Sequence, residues 1–355
     1  MQASLKTLHL RDPFRIAHGT SSTRQVLRIT HEGHTSEAPF VPYHGEDPQQ
    51  TLALLNDVIL PADLSGTTAL AVNFLRHDLV QALMPRMACS LSRPAILALN
   101  LMYHELLGCS TGESLRQHAL AKLGPSMLGT TPPGCHSIGI PADLDVFEDK
   151  IRQLSTQFSV LKLKLGSGDL GLDLATVSVA RHAAPDARLI LDVNGGWDLV
   201  EAPLMIEKLA HYEPALIEQP IHHRHGIEAW EDLRSRLPGN PPPIFADESV
   251  QTASDVPALA PYIDGVNVKL LKCSSFDAAI TMIETARTHN LQILLGCMIE
   301  TSLGITAAAH LAPWVDWIDL DGHLHITNDD FTGIEYDAHG RLLMPDRPGI
   351  GAIPR

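Results

Sequence analysis

Between residues 161 and 269, charged residues recur at the ends of short apolar runs, about 22 to 30 residues apart. They are Lys162 and Lys164 in LKLKLG, Asp192 in ILDVNGG, Glu218 in LIEQP, Asp247 in IFADES and Lys269 in VNVKL. One strand, one helix and two loops fill such an interval. The rhythm extends beyond this stretch. Eight near-continuous apolar runs lie between Cys135 and Asp321, most of them separated by an amphipathic helical pattern. Runs of that kind are buried on both faces, as in a parallel sheet closed into a barrel. A doubly wound open sheet is the alternative, but no glycine-rich phosphate loop follows the first run. The expected class is α/β, a TIM-type barrel of seven or eight β/α units, with an α+β capping domain formed by the N-terminus and the C-terminal tail.

The flanks break the rhythm. In residues 1–130, LKTLHL and QVLRITHEG read as antiparallel strands, with PFRIAHGTSSTR a turn-rich loop between them. Helical patterns follow, including ALAVNFLRHDLVQALM and RPAILALNLMYHELLG, the latter stopping at Gly108. The Pro/Gly-rich PSMLGTTPPG sets the boundary near Thr130. The barrel is expected over residues 131–322. Residues 323–355, with a hairpin in GIEYDAHGRLLMP, are expected to return to the cap.

Composition narrows the partners. A formal net charge of −15 disfavours nucleic acid and anionic membranes. No apolar run reaches membrane-spanning length, and the first residues lack a signal-peptide core. The five cysteines (Cys89, Cys109, Cys135, Cys273 and Cys297) are scattered and never in CxxC pairs, which favours free thiols in a reducing compartment. The expectation is a cytoplasmic protein acting on a small molecule. Whether it is a monomer or a homo-oligomer stays open.

Asp192, Glu218 and Asp247 end three consecutive runs. Three carboxylates completed by water and substrate suit Mg²⁺, and no His or Cys stands at the equivalent positions for Zn²⁺. Helix caps or solvated loop acids are the other reading. Period-two alternation puts Lys162 and Lys164 on one side of their strand. Mutual repulsion should lower the pKa of at least one. Lys269 ends the strand opposite, and Lys272, past that strand's end, is expected to reach solvent. Two lysine bases across a metal-bound carboxylate suit removal and return of a proton α to that carboxylate, hence racemisation or epimerisation.

The ordered motifs KLK, DVN, EQP, DES and VNVKL resemble the enolase superfamily, specifically its muconate-lactonizing subgroup, over nearly the whole chain. The resemblance implies one Mg²⁺ on Asp192, Glu218 and Asp247, Lys164 and Lys269 as the acid/base pair, and Lys162 near the substrate carboxylate. Asp319 and Asp321 in IDLDG resemble the Asp-x-Asp of dipeptide epimerases, which pairs with a substrate ammonium group; a surface acid pair is the plainer reading. Ser137 and Cys297 occupy places that line the substrate in such enzymes, with packing as the other role. Specificity is expected from the capping loops, at Arg24, His18, Tyr43 and His44. Arg24 is a candidate for binding an acidic side chain. Glu300 either bonds near a catalytic lysine or caps the following helix. Two departures stand out: KCSS replaces a Gly-Gly after Lys269, and a glycine pair near Gly333 is incomplete. The implied substrate is a dipeptide inverted at its C-terminal residue. The rivals are N-acylamino acid racemisation, o-succinylbenzoate synthesis, muconate cycloisomerisation, and a non-catalytic ligand-binding barrel.

Overall fold

The computed structural model describes residues 1–42, 45–59, 92–237 and 239–355. Tyr43, His44, Cys89 and the helical pattern from residue 69 to 84 lie outside the described residues.

Eight parallel strands form one sheet: β4 (Cys135–Ile138), β5 (Val160–Lys164), β6 (Arg188–Asp192), β7 (Leu216–Glu218), β8 (Ile244–Ala246), β9 (Gly265–Val268), β10 (Gln292–Gly296) and β11 (Trp317–Asp319). They run in chain order, so each βα unit adds the next strand. The last strand returns to the first. There the Ser137 hydroxyl donates to Asp319 (2.9 Å) and the Ser137 N–H to Asp321 (2.5 Å). The sheet is a TIM-type barrel.

Alternation decides what fills it. Leu161, Leu163 and Leu165 join the outer core beneath the helices. Val160, on the other face of β5, joins an inner floor with Cys135, Ile190, Leu216, Phe245 and Leu294. The Phe245 ring lies over its neighbour on the adjacent strand, Gly265, where any Cβ would collide with it. The outer helices start on loop acids: Asp143 accepts from Asp145 N and Val146 N at the start of α4 (Leu144–Ser155), and Asp169 caps α5 (Leu170–Ala183) in the same way. Those acids do the capping. The strand-end acids do not.

The cap begins with β1 (Gln2–Ile16), β2 (Gly19–His31) and β3 (His34–Pro39), an antiparallel sheet. The expected loop PFRIAHGTSSTR is instead the ends of β1 and β2 joined by a two-residue turn, Ala17 and His18. Pairing shifts register between His9 and Phe14 and then resumes with Phe14 opposite Ser21 and Ile16 opposite Gly19. Pro13 sits in the interruption, where no ladder hydrogen bond is needed. The hairpin tip lands on the barrel: Ile140 N donates to Arg15 O (2.9 Å). After α1 (Pro48–Leu54), α2 (Arg93–Thr111) packs on β3, and α3 (Leu115–Leu123) follows. Helix α2 does not stop at Gly108. It ends at Gly112, whose φ of +77° closes it. Gly108 is small for another reason: its Cβ would lie 2.6 Å from Gly349 Cα.

Tail and cap interlock. Thr327 N donates to His9 O (2.9 Å), and Asp330 pairs with Lys6 and Arg28. The expected tail hairpin forms between Glu335–Tyr336 and Leu342–Leu343. Barrel and cap also meet at Asp277, which joins Asn100 (3.0 Å), His104 (2.8 Å) and His118 (2.8 Å).

Two stability predictions arise here. His310, buried after α11 (Ser302–Ala309), bonds Ile350 O at 2.9 Å. Burial holds its pKa down at about 4. The unfolded chain binds that proton near pH 6.5, so the stabilisation is whole above pH 6.5 and is lost as pH falls toward 4. The shift is worth about 3 kcal/mol. Denaturant titrations at pH 7 and pH 4.5 should show this loss in wild type, and a much smaller one in His310→Gln. The second concerns KCSS. Ser274 has φ +63°, the left-handed conformation that a glycine would adopt freely. Ser275 caps α10 (Phe276–Thr288) by accepting from Ala278 N (3.0 Å). Ser274→Gly should therefore raise stability by about 1 kcal/mol, read as a higher denaturation midpoint.

Candidate active site

Moving up each strand by two residues from the apolar floor reaches a polar layer: Ser137, Lys162, Asp192, Glu218, Asp247, Asn267 and Asp319, all buried. Register aligns part of it. Asp192 pairs with Glu218 and Ser137 with Lys162, while the stagger between β5 and β6 sets Lys164, not Lys162, beside Asp192. Above it stand Lys164, Lys269 and Asp321.

Charge in this layer is nearly balanced. The Lys162 ammonium lies 3.0 Å from Asp192, 2.7 Å from Glu218 and 2.8 Å from Asp319. Lys164 lies 2.5 Å from Asp192, and Lys269 2.7 Å from Asp247. Burial works to lower the Lys162 pKa, but Asp192, Asp319 and Glu218 raise it well above the ordinary value. The expected lysine–lysine depression is therefore not what Lys162 shows; three acids outweigh one neighbouring ammonium. Lys272 corrects the sequence reading more sharply. It is 1% exposed, and its ammonium lies 2.6 Å from both Asp247 Oδ1 and Asp247 O. The chain makes one helical turn after β9, α9 (Leu270–Cys273), which swings the side chain back over β8.

The three acids suit a hard divalent cation by donor type and by their places at the ends of three neighbouring strands. Burial and then Asp192 push the Glu218 carboxyl above its ordinary range. Its Oε2 lies near Lys162 but makes no hydrogen bond, and Asn194 Oδ1 and Glu248 Oε2 are likewise buried without a partner. Glu218 Oε2 is ion-paired with Lys162 at 2.7 Å, but three acids on neighbouring strands still crowd this layer, and a cation would relieve their repulsion. Among the described residues, the ligand atoms of the trio are not gathered within 4.8 Å of one another; each acid is turned to a lysine.

Above this layer is a cavity lined by Lys164, Lys269, Ser137, Cys297, Asp319 and Asp321, with Arg24 also on its wall. Phe14, Ile16, Phe40, Val41, Met298 and Ile299 supply apolar lining. The sequence-derived candidates thus converge, with exceptions. Lys162, Asp192, Glu218 and Asp247 lie beneath the cavity and are not part of its lining. His18 lines a neighbouring pocket with His222, His223 and Arg224. The Glu300 carboxylate accepts from Met298 N (3.1 Å), and burial pushes it up to about 7. Glu300 does not cap α11: Thr301 is at the cap position, and Ser302 N donates to Asp329.

Sequence reasoning missed Asn267, which donates to Glu218 at 2.6 Å. Its position two residues before Lys269 carried the signal. His136 and His325, beside Asp321, had none.

Comparisons with known proteins bear on the family and the fold. The family model described as "Enolase C-terminal domain-like" matches residues 147–355. The L-Ala-D/L-Glu epimerase of Bacteroides thetaiotaomicron is 32% identical over 354 residues, 98% of this chain and 85% of that protein. A hydrophobic dipeptide epimerase of Roseobacter litoralis is 30% identical over 368 residues, 99% of each chain. A dipeptide epimerase of Enterococcus faecalis, solved with Mg and the dipeptide L-Leu-L-Tyr, superposes with a TM-score of 0.80 at 26% identity, covering 99% of this chain and 98% of that one.

Proposed function

The chain belongs to the enolase C-terminal domain-like family, and on that premise we propose that it is a Mg²⁺-dependent dipeptide epimerase that inverts the α-carbon of the C-terminal residue. One observation carries the substrate class. Asp319 ends β11, Asp321 follows two residues on, and both line the cavity that holds Lys164 and Lys269. A free amino terminus wants carboxylate acceptors in so enclosed a place. The names of the relatives above support the same reading.

Asp192, Glu218 and Asp247 would hold the Mg²⁺, whose charge would stabilise the developing enediolate dianion. Lys164 and Lys269 stand on β5 and at the end of β9, opposite strands of the eight. In one direction a neutral lysine takes the α-proton, and the electron pair moves into the substrate carboxylate. The facing ammonium then returns a proton to the opposite side. In reverse the roles exchange. Lys162 neutralises the acids beneath, and Ser137 holds Asp319. The hairpin tip of β1 and β2 roofs the cavity with apolar side chains and excludes water. Arg24, on that wall, is the candidate for reading an acidic substrate side chain.

The test is a pool of free dipeptides and N-acylamino acids incubated in D₂O with Mg²⁺ and read by mass spectrometry. Free dipeptides should gain one mass unit and N-acylamino acids none. Exchange confined to N-acyl substrates would replace this reading with N-acylamino acid racemisation.

A further inference from the structure

Asp319 and Asp321 offer four carboxylate oxygens, and the structure uses them unequally. Asp319 Oδ1 accepts from the Ser137 hydroxyl (2.9 Å), and Oδ2 from Lys162 (2.8 Å). Asp321 Oδ2 accepts from Ser137 N (2.5 Å) and His325 Nε2 (3.0 Å), with His136 Nδ1 3.5 Å away. No described residue donates to Asp321 Oδ1. That is the one oxygen of the four left for a ligand, and Asp321 lines the cavity.

His325 is placed to keep it so. It follows Asp321 by one short turn, Gly322–His325. Its ring is wedged edge-on between Phe14 of the hairpin (centroids 5.0 Å apart) and His136 of β4 (5.2 Å), and His136 is braced by Phe158 (5.3 Å). A wedged ring fixes its Nε2, and that donor holds one face of the carboxylate. Without it, the Ser137 N–H is the one hydrogen bond left on Oδ2 among the described residues, and Asp321 could turn about that single contact. Burial alone would raise the Asp321 pKa, but His325, His136 and the Ser137 N–H hold it below the usual carboxylate range. The group stays ionised for a cationic ligand.

We infer that His325 is a positioning residue for substrate selection: it pins Asp321 so that Oδ1 alone receives the substrate's ammonium group. This rests on the dipeptide reading above. It makes His325 responsible for the preference for a free amino terminus, a role separate from proton transfer.

The test uses the full chain with Mg²⁺, in wild type, His325→Leu and His325→Gln. The glutamine amide can reproduce the Nε2 donor; leucine fills the space without it. Kinetics are measured with L-Ala-L-Glu and L-Leu-L-Tyr, and dissociation constants with the same dipeptides and their N-acetyl forms. His325→Leu should raise KM for the free dipeptide about tenfold, with kcat within about threefold, and His325→Gln should restore most of it. Binding of the N-acetyl forms should not change. Unchanged KM in His325→Leu, or equal weakening of free and acetylated forms, would overturn the inference and leave the dipeptide reading standing. If wild type turns over neither dipeptide and binds free and acetylated forms alike, both fall together.

Discussion

Lys164→Ala and Lys269→Ala should each reduce net inversion by about 10²–10⁴-fold, yet fail in opposite ways. On the proposed mechanism each lysine would face one side of the substrate α-carbon, from opposite barrel strands. Removing one leaves the other able to take and return a proton on its own side. Each variant should therefore exchange the α-hydrogen of only one epimer in D₂O, and the two variants should prefer opposite epimers. Nuclear magnetic resonance on the separate epimers reads this directly. Both lysines are paired with acids in the structure, at 2.5 Å and 2.7 Å. Some loss of stability accompanies either change, so melting curves must show that the variants are folded. If either variant inverts its substrate at the wild-type rate, the two-base account is wrong.

Mg²⁺ should raise the melting temperature of the wild type and leave that of Glu218→Gln nearly unmoved. On the proposed reading the ion would bind only where folding sets the three acids at the ends of neighbouring strands. Mass action then stabilises the native state, by about 2.7 kcal/mol at one hundred times the dissociation constant. Glu218 is the telling position. It lies on β7 between Asp192 and Asp247, and its Oε2 makes no hydrogen bond. Without metal, Glu218→Gln should be about as stable as wild type, because burial and then Asp192 push the Glu218 carboxyl up to about 8, so a neutral group is already favoured there near pH 7. A variant less stable without metal, yet still stabilised by Mg²⁺, would show that Glu218 serves the fold and that the cation sits elsewhere. Scanning calorimetry with EDTA and with Mg²⁺ separates the two outcomes.

Much of the barrel was legible because two periods coincide. Alternation along each strand sorts side chains between floor and outer shell, and the β/α interval repeats that sorting eight times. Lys162, Asp192, Glu218 and Asp247 stood out because a charge closing an apolar run faces inward only if something there receives it. What was not legible depended on geometry between elements. Lys272 read as a solvent lysine because nothing local announces a single helical turn that folds it back onto Asp247. PFRIAHGTSSTR read as a loop from its composition; the partner strand extends it past a register shift. Gly108 read as a helix stop, but its smallness answers Gly349, 241 positions later in the chain. His325 is one histidine among 19, and only the fold sets it against Asp321. Local pattern reaches what a residue faces. Which distant residue it meets is decided by packing.

The claim at the centre of this account is inversion at one carbon without other change. The measurement that tests it most directly is chiral chromatography of a single free dipeptide, drawn from those that exchange in the D₂O pool, incubated with the protein and Mg²⁺. The account predicts that the epimer at the C-terminal residue appears, that the same mixture is reached from either epimer, and that no other product forms. An exchanging dipeptide that never inverts, or one consumed to a product of different composition, would contradict it.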